Sequence, residues 1–165
     1  GWFKKGGFLE RGNMIEEKKC HECGHVLRVY TRRLPKADLD TLSQLYGKDR
    51  SESREWFHIR EIKRHKSGCG FAKFRYWGLI EEGHNDDLEK KNAGYWRLTY
   101  RGRQFMAGAI KIRTHARIEN AVCIGFSGDS VNVYETYRMA GFSFSELMAP
   151  FKIEAQRTMQ ESLPL

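Results

Sequence analysis

No apolar run among the 165 residues approaches the length that spans a bilayer, and no signal-peptide core is visible. Both lacks point to an intracellular, cytoplasmic chain with no membrane partner. Cysteine is sparse. Cys20, Cys23, Cys69 and Cys123 are too few, without a secretion signal, for an extracellular disulfide scaffold. A phosphate-binding glycine loop with lysine is lacking, and Ser127 in Phe126-Ser127-Gly128-Asp129 has none of the flanks of a nucleophile elbow. His58 and His115 stand alone, and His84 falls in an acidic stretch. The acidic pairs Glu81-Glu82 and Asp86-Asp87 lie where a loop is expected, which suits solvation better than acid–base work. With no catalytic constellation, the sequence predicts a protein that is not an enzyme.

Basic charge is in excess. The formal net charge is +8 and the sequence pI about 9.4, a balance that raises the local potential for a polyanion without choosing which one. Aromatic residues make up 13% of the chain, enough to give a small protein a usable core because each buries a large area.

Residues 1–13 are glycine-rich and show no apolar periodicity, so they are expected to be a leader ahead of a natural start at Met14, or a flexible arm. Residues 14–34 hold a Cys-x2-Cys knuckle and the strand-like run Val26–Tyr30. Pro35 suits the first turn of a helix carrying Leu39, Leu42, Leu45 and Tyr46, with Gly47 as its stop. Lys48 to Arg54 reads as a loop. From there the order is a short strand at Trp56–Ile59, a basic helix Arg60–Lys66, a turn Ser67–Gly70, and a second helix Phe71–Trp77 ended by Gly78. A strand at Leu79-Ile80, a polar loop over 81–93, a strand Tyr95–Thr99 and a helix from Arg101 to Gly108 follow. Residues 109–150 read as a β-rich extension, with alternation through Ile110, Ile112, Val122, Ile124, Phe126, Val131 and Val133 and a short helix near Ser143–Met148. Residues 151–165 read as a tail.

The stretch GFAKFRYWGLIEE…GYWRLTYRGRQFMAG resembles bacterial and phage winged-helix regulators, in which a recognition helix ends in Gly-Leu-Ile and a strand ending in Leu-Thr leads to a glycine-bearing helix. The resemblance covers about a third of the chain. It implies an α+β fold: a winged helix-turn-helix over 35–108, preceded by the CxxC knuckle and followed by the β-rich extension. In such a fold the second helix enters the major groove of double-stranded DNA. Phe71 and Phe74, with Trp77 or Gly78, form its buried stripe, leaving Lys73, Arg75 and Tyr76 to face the groove. Lys63, Arg64 and Lys66 suit phosphates, Lys90 and Lys91 sit at the wing, and Arg97 lies at its base. The wing acids Glu81, Glu82, Asp86, Asp87 and Glu89 count against binding unless they point away.

A broader similarity runs from Lys19 to Met148, through CHECGHVLRVYTRRL, AKFRYWGLIEE, GYWRLT, FSGDSVNV and SELM. It is to a family of small phage proteins to which no activity is assigned, so it implies a phage or prophage origin, and hence a bacterial host cytoplasm, without supplying a function. The leading expectation is a phage or bacterial DNA-binding transcriptional regulator, with residues 109–148 pairing two subunits as a homodimer. The rival is a winged-helix module that binds a host or phage protein without catalysis.

A Cys-x2-Cys followed by glycine lets two thiolates grip one Zn²⁺, and structural zinc sites close with four ligands. By spacing, His65 and Cys69 complete a set with Cys20 and Cys23; His21 and His25 are alternatives. Redox chemistry is less favoured, because no thioredoxin-like α/β pattern surrounds the pair. Cys123, in an apolar strand, is expected to be core.

Overall fold

A computed structural model describes residues 2–10, 13–63, 70–83 and 94–151, with side chains from Met14 onward. In chain order the elements begin with β1 (Trp2–Glu10), β2 (Asn13–Cys20) and β3 (Val26–Arg33), a 3₁₀ turn Lys36–Asp38, and α1 (Leu39–Ser51). Next come β4 (Phe57–His58), α2 (Ile59–Ile62), a 3₁₀ helix Phe71–Trp77, β5 (Ile80–Glu82) and β6 (Tyr95–Leu98). The chain continues through α3 (Tyr100–Met106), β7 (Ile112–Glu119), β8 (Val122–Val131), α4 (Val133–Met139) and α5 (144–151). The fold is mixed α+β with antiparallel sheets, and it divides into two compact units. No described helix is long and apolar enough to cross a membrane.

One unit joins residues 1–34 to 112–131 in a five-stranded sheet of order β1-β2-β3-β7-β8. Its N-terminal part differs from the expected leader or arm. Trp2–Glu10 pairs antiparallel with β2, from Trp2 opposite Cys20 to Glu10 opposite Asn13. A neighbouring strand supplies hydrogen bonds to any backbone laid beside it, so an edge strand needs no apolar alternation of its own. Ile15, Val29, Ile112, Ala116, Ile118 and Val131 are buried. β8 ends the sheet, and its Val122, Ile124 and Phe126 are exposed, while Cys123 is half-buried instead of core.

The other unit joins 35–111 to 132–165 around a three-stranded sheet of order β4-β6-β5. Leu39, Leu42, Leu45 and Tyr46 line the buried side of α1, as their spacing predicts. Gly47 does not stop that helix, which runs on to Ser51 through the expected loop. A Cβ at position 47 would collide with the Phe151 ring, so this glycine serves close packing inside the helix. Of the β-rich extension predicted over 109–150, the strands are present as β7 and β8 and the short helix near Ser143–Met148 as α5, but the segment departs from the expected alternation after Val131. The apolar alternation ends at Val131 because the Asn132 side chain caps α4, accepting the Glu135 N–H at 2.8 Å. Tyr137, fully buried on α4, donates its hydroxyl to the Leu39 carbonyl at 2.6 Å and ties this helix to the start of α1.

Candidate nucleic-acid interface

The segment Phe71–Trp77 is a 3₁₀ helix, tighter than the α-helix the sequence suggests. At three residues per turn, positions 71, 74 and 77 stack on one line. Those are Phe71, Phe74 and Trp77, and all three are buried. Phe71 meets the edge of Phe74 with ring centroids 6.0 Å apart and that of Trp96, on β6, at 5.6 Å. The opposite side carries Lys73 and Arg75, both exposed, and half-buried Tyr76. The Arg75 guanidinium lies 5.4 Å from the centre of the Tyr76 ring, and no carboxylate among the described residues pairs with Lys73 or Arg75.

Both ends of this helix are pinned. Before it, the buried Asp38 carboxylate accepts the Gly70 N–H at 3.0 Å. A side chain at position 70 would press on that carboxylate and on Pro35. Burial raises the Asp38 pKa above its ordinary value, while the Gly70 N–H and the charges of Lys63 and Lys73 pull it back. After the helix, Gly78 turns the chain in the left-handed region at φ +72°. Its carbonyl accepts the Thr99 hydroxyl at 2.5 Å, and the Trp77 carbonyl accepts the Arg101 guanidinium at 3.0 Å.

Thr99 also caps α3 by accepting the Gly102 N–H at 2.9 Å, and its own N–H donates to the Leu79 carbonyl at 3.0 Å. A Cβ on Gly102 would run into that Leu79 carbonyl. Gly-Leu-Ile and Leu-Thr-x-x-Gly are therefore two sides of one junction, joining the exit of the 3₁₀ helix to the start of α3. Beside it, β5 and β6 pair antiparallel, with Ile80 opposite Leu98 and Glu82 opposite Trp96.

The other expected contact residues are scattered in their circumstances. Lys63 is exposed at the end of α2, a one-turn helix capped by His58, whose Nδ1 accepts the Arg60 N–H at 3.2 Å while Glu61 accepts the His58 N–H at 2.8 Å. That cap is the role of a histidine which stood alone in the sequence. Arg97 is already engaged. Its guanidinium bonds Glu81 at 2.7 Å and Glu55 at 3.3 Å and lies 4.7 Å from the Trp56 ring centre. Arg103 is held likewise in a two-pronged bond to Asp49, at 2.9 and 3.0 Å. Arg64, Lys66, Lys90 and Lys91 lie outside the described residues, as do the acids Asp86, Asp87 and Glu89.

In the sheet unit, Cys20 and Cys23 sit at the hairpin between β2 and β3 as free thiols. The turn closes through Cys20 N–H to the His25 carbonyl at 2.8 Å and Gly24 N–H to the Cys20 carbonyl at 3.0 Å, with Gly24 at φ +73°. Backbone N–H groups of Cys23 and Glu22 point at the Cys20 sulfur and lower its pKa, which favours the thiolate that a soft metal needs. The proposed partners His65 and Cys69 lie outside the described residues, and no cluster of three metal-binding side chains occurs among the described ones. Compared with protein-family models, curated proteins and solved structures, the chain matches none.

Proposed function

We propose that residues 35–108 are a winged-helix domain that binds double-stranded DNA, and that the protein is a phage or bacterial transcriptional regulator. The observation that carries this reading is the division of one short helix into a buried aromatic line, Phe71, Phe74 and Trp77, and an exposed cationic side, Lys73 and Arg75. The order α1, β4, α2, 3₁₀ helix, β5, β6, with β6 central in the sheet, supports it. Seven residues of 3₁₀ helix extend roughly 14 Å, and the major groove is about 12 Å wide, so the helix fits the groove as a short plug. Lys73, Arg75 and Tyr76 then reach base edges, and Lys63 reaches a phosphate. Arg64, Lys66, Lys90 and Lys91 are assigned to phosphates on their basic character alone. Arg97 is left out of the contact set, since a phosphate would have to displace two carboxylates from it.

The test is a gel shift on duplexes selected from a random pool. Lys73→Ala with Arg75→Ala is expected to abolish selective retention, and unchanged affinity would reject the assigned helix. The competing reading, a protein-docking module, draws on Tyr100, which is 75% exposed at the start of α3. Salt-insensitive capture of a protein without retention on DNA would favour it.

Zinc is proposed at Cys20 and Cys23, with His65 and Cys69 completing the set. Bound there, it would supply a structural cross-link and no chemistry. Pairing of two subunits through 109–148 is proposed on the exposed Val122, Ile124 and Phe126 of the edge strand β8, and sedimentation measures it.

A further inference from the structure

The five-stranded sheet holds a cavity of about 390 Å³ that the DNA reading does not use. Its lining includes Met14, Thr31, Arg33, His115, Arg117 and Ser127. The register accounts for their meeting. Met14, Thr31 and Arg117 form one row across β2, β3 and β7, and Arg33, His115 and Ser127 form another across β3, β7 and β8. The rows lie two residues apart on β3 and on β7, so both project from the same face.

A bulge shapes one wall. Ser127 pairs with His115 and Ser130 with Arg113, which leaves Thr114 opposite both Gly128 and Asp129. Gly128 takes φ +82° there, and a side chain on it would strike the Thr114 hydroxyl and come within 2.5 Å of His115 Nδ1. The Gly128 carbonyl accepts the Arg113 guanidinium at 2.7 Å, and Thr114 Oγ1 lies 2.8 Å from His115 Nδ1. The Ser-Gly-Asp sequence, locally no more than a turn signal, thus brings the Ser127 hydroxyl and the His115 ring to the same rim.

The lining is cationic. Arg117 donates to Glu16 at 2.9 Å, while Arg33 is exposed and makes no ion pair among the described residues. Two guanidinium groups therefore stand against one carboxylate, beside hydroxyls on Thr31 and Ser127. We propose that this cavity binds a small organic anion, its phosphate or carboxylate head held by Arg33 and Arg117 and hydrogen-bonded by His115 and Ser127. The volume falls in the range of small-ligand pockets, about 300 to 1,000 Å³.

The groups around His115 set the pH dependence. Burial and Arg33 hold its pKa below the usual histidine value, and Asp129 opposes them. Arg113 and Arg117 on β7 and Glu16 on β2 complete the charged surroundings. An anion in the cavity favours the imidazolium, so binding tightens as pH falls through the His115 pKa.

The experiment titrates the full chain with adenosine monophosphate, inorganic phosphate and benzoate at constant ionic strength, following the His115 ring by NMR. A saturating shift is expected with at least one probe, tighter at pH 6 than at pH 8. Phosphate without benzoate, or the reverse, identifies the head group. Arg33→Gln should weaken binding roughly tenfold, the loss of one charge-assisted hydrogen bond, and Ser127→Ala should weaken it less. No saturation with any probe, equal affinity in Arg33→Gln, or saturation with duplex DNA alone would overturn the proposal. Arg33→Gln should leave the gel shift of the Lys73 and Arg75 helix unchanged, so the two readings fail separately.

Discussion

The Thr99 hydroxyl donates to the Gly78 carbonyl at 2.5 Å, across twenty-one positions of sequence, while the same oxygen accepts the Gly102 N–H at 2.9 Å. One side chain thus closes the exit of the 3₁₀ helix and opens α3. Thr99→Val keeps the shape and removes both bonds. The expected loss is about 1–3 kcal/mol, the cost of an absent cap and a part-buried carbonyl left unpaired. Urea denaturation measures it, and Thr99→Ser should recover most of the loss. A valine variant as stable as the parent would show that the junction is held by packing alone.

Asp38 makes stability depend on pH. Its folded pKa is raised by burial, so the folded protein holds this proton more tightly than the unfolded chain does. The penalty is absent below the unfolded value of 3.8, grows as pH rises through the folded pKa, and stays constant above it. Asp38→Asn keeps an oxygen for the Gly70 N–H and removes the buried charge. Its melting temperature should exceed the parent's at pH 7, and the gap should close near pH 3.5. A gap that widened in acid would reverse the assignment.

The salt dependence of duplex binding separates free cations from engaged ones. Removing one cation that neutralises a phosphate makes the slope of log affinity against log salt shallower by about 0.9. Lys63→Ala, which removes the proposed phosphate contact, should reduce the slope by that amount. Arg97→Gln should leave it unchanged, because Glu81 and Glu55 already occupy that guanidinium. A slope that falls in Arg97→Gln would mean that the ion pairs open on binding.

Metal content tests the knuckle. Elemental analysis should find about one zinc per chain, the stoichiometry of a four-ligand structural site, and none in Cys20→Ser with Cys23→Ser. Cys69→Ser and His65→Ala should also lose the metal. Zinc retained in those two but lost from the first would assign the remaining ligands elsewhere.

Local pattern made much of the second unit legible. Phe71, Phe74 and Trp77 recur at a spacing that only a helix turns to one side, and Leu79-Ile80 and Tyr95–Leu98 carry strand patterns whose pairing follows from a return of the chain. The type of helix was not legible, because spacing of three suits a 3₁₀ helix as well as an α-helix. Gly47 misled for a related reason. Glycine marks helix ends by its freedom at positive φ, yet here it answers to the Phe151 ring, more than a hundred residues away.

What this sequence determined unaided was its short-range character: basic excess, the aromatic line, and the caps and turns whose partners lie within a few residues. The exposure of Lys73 and Arg75 followed from the spacing of that line, but the tertiary structure alone decided which cations are spent on carboxylates, as with Arg97 and Arg103. It alone paired Trp2–Glu10 with β2 and brought Arg33, His115 and Ser127 into one row. Ion pairs and strand registers join residues far apart in the chain, and the energy of such contacts depends on distances that no local pattern encodes.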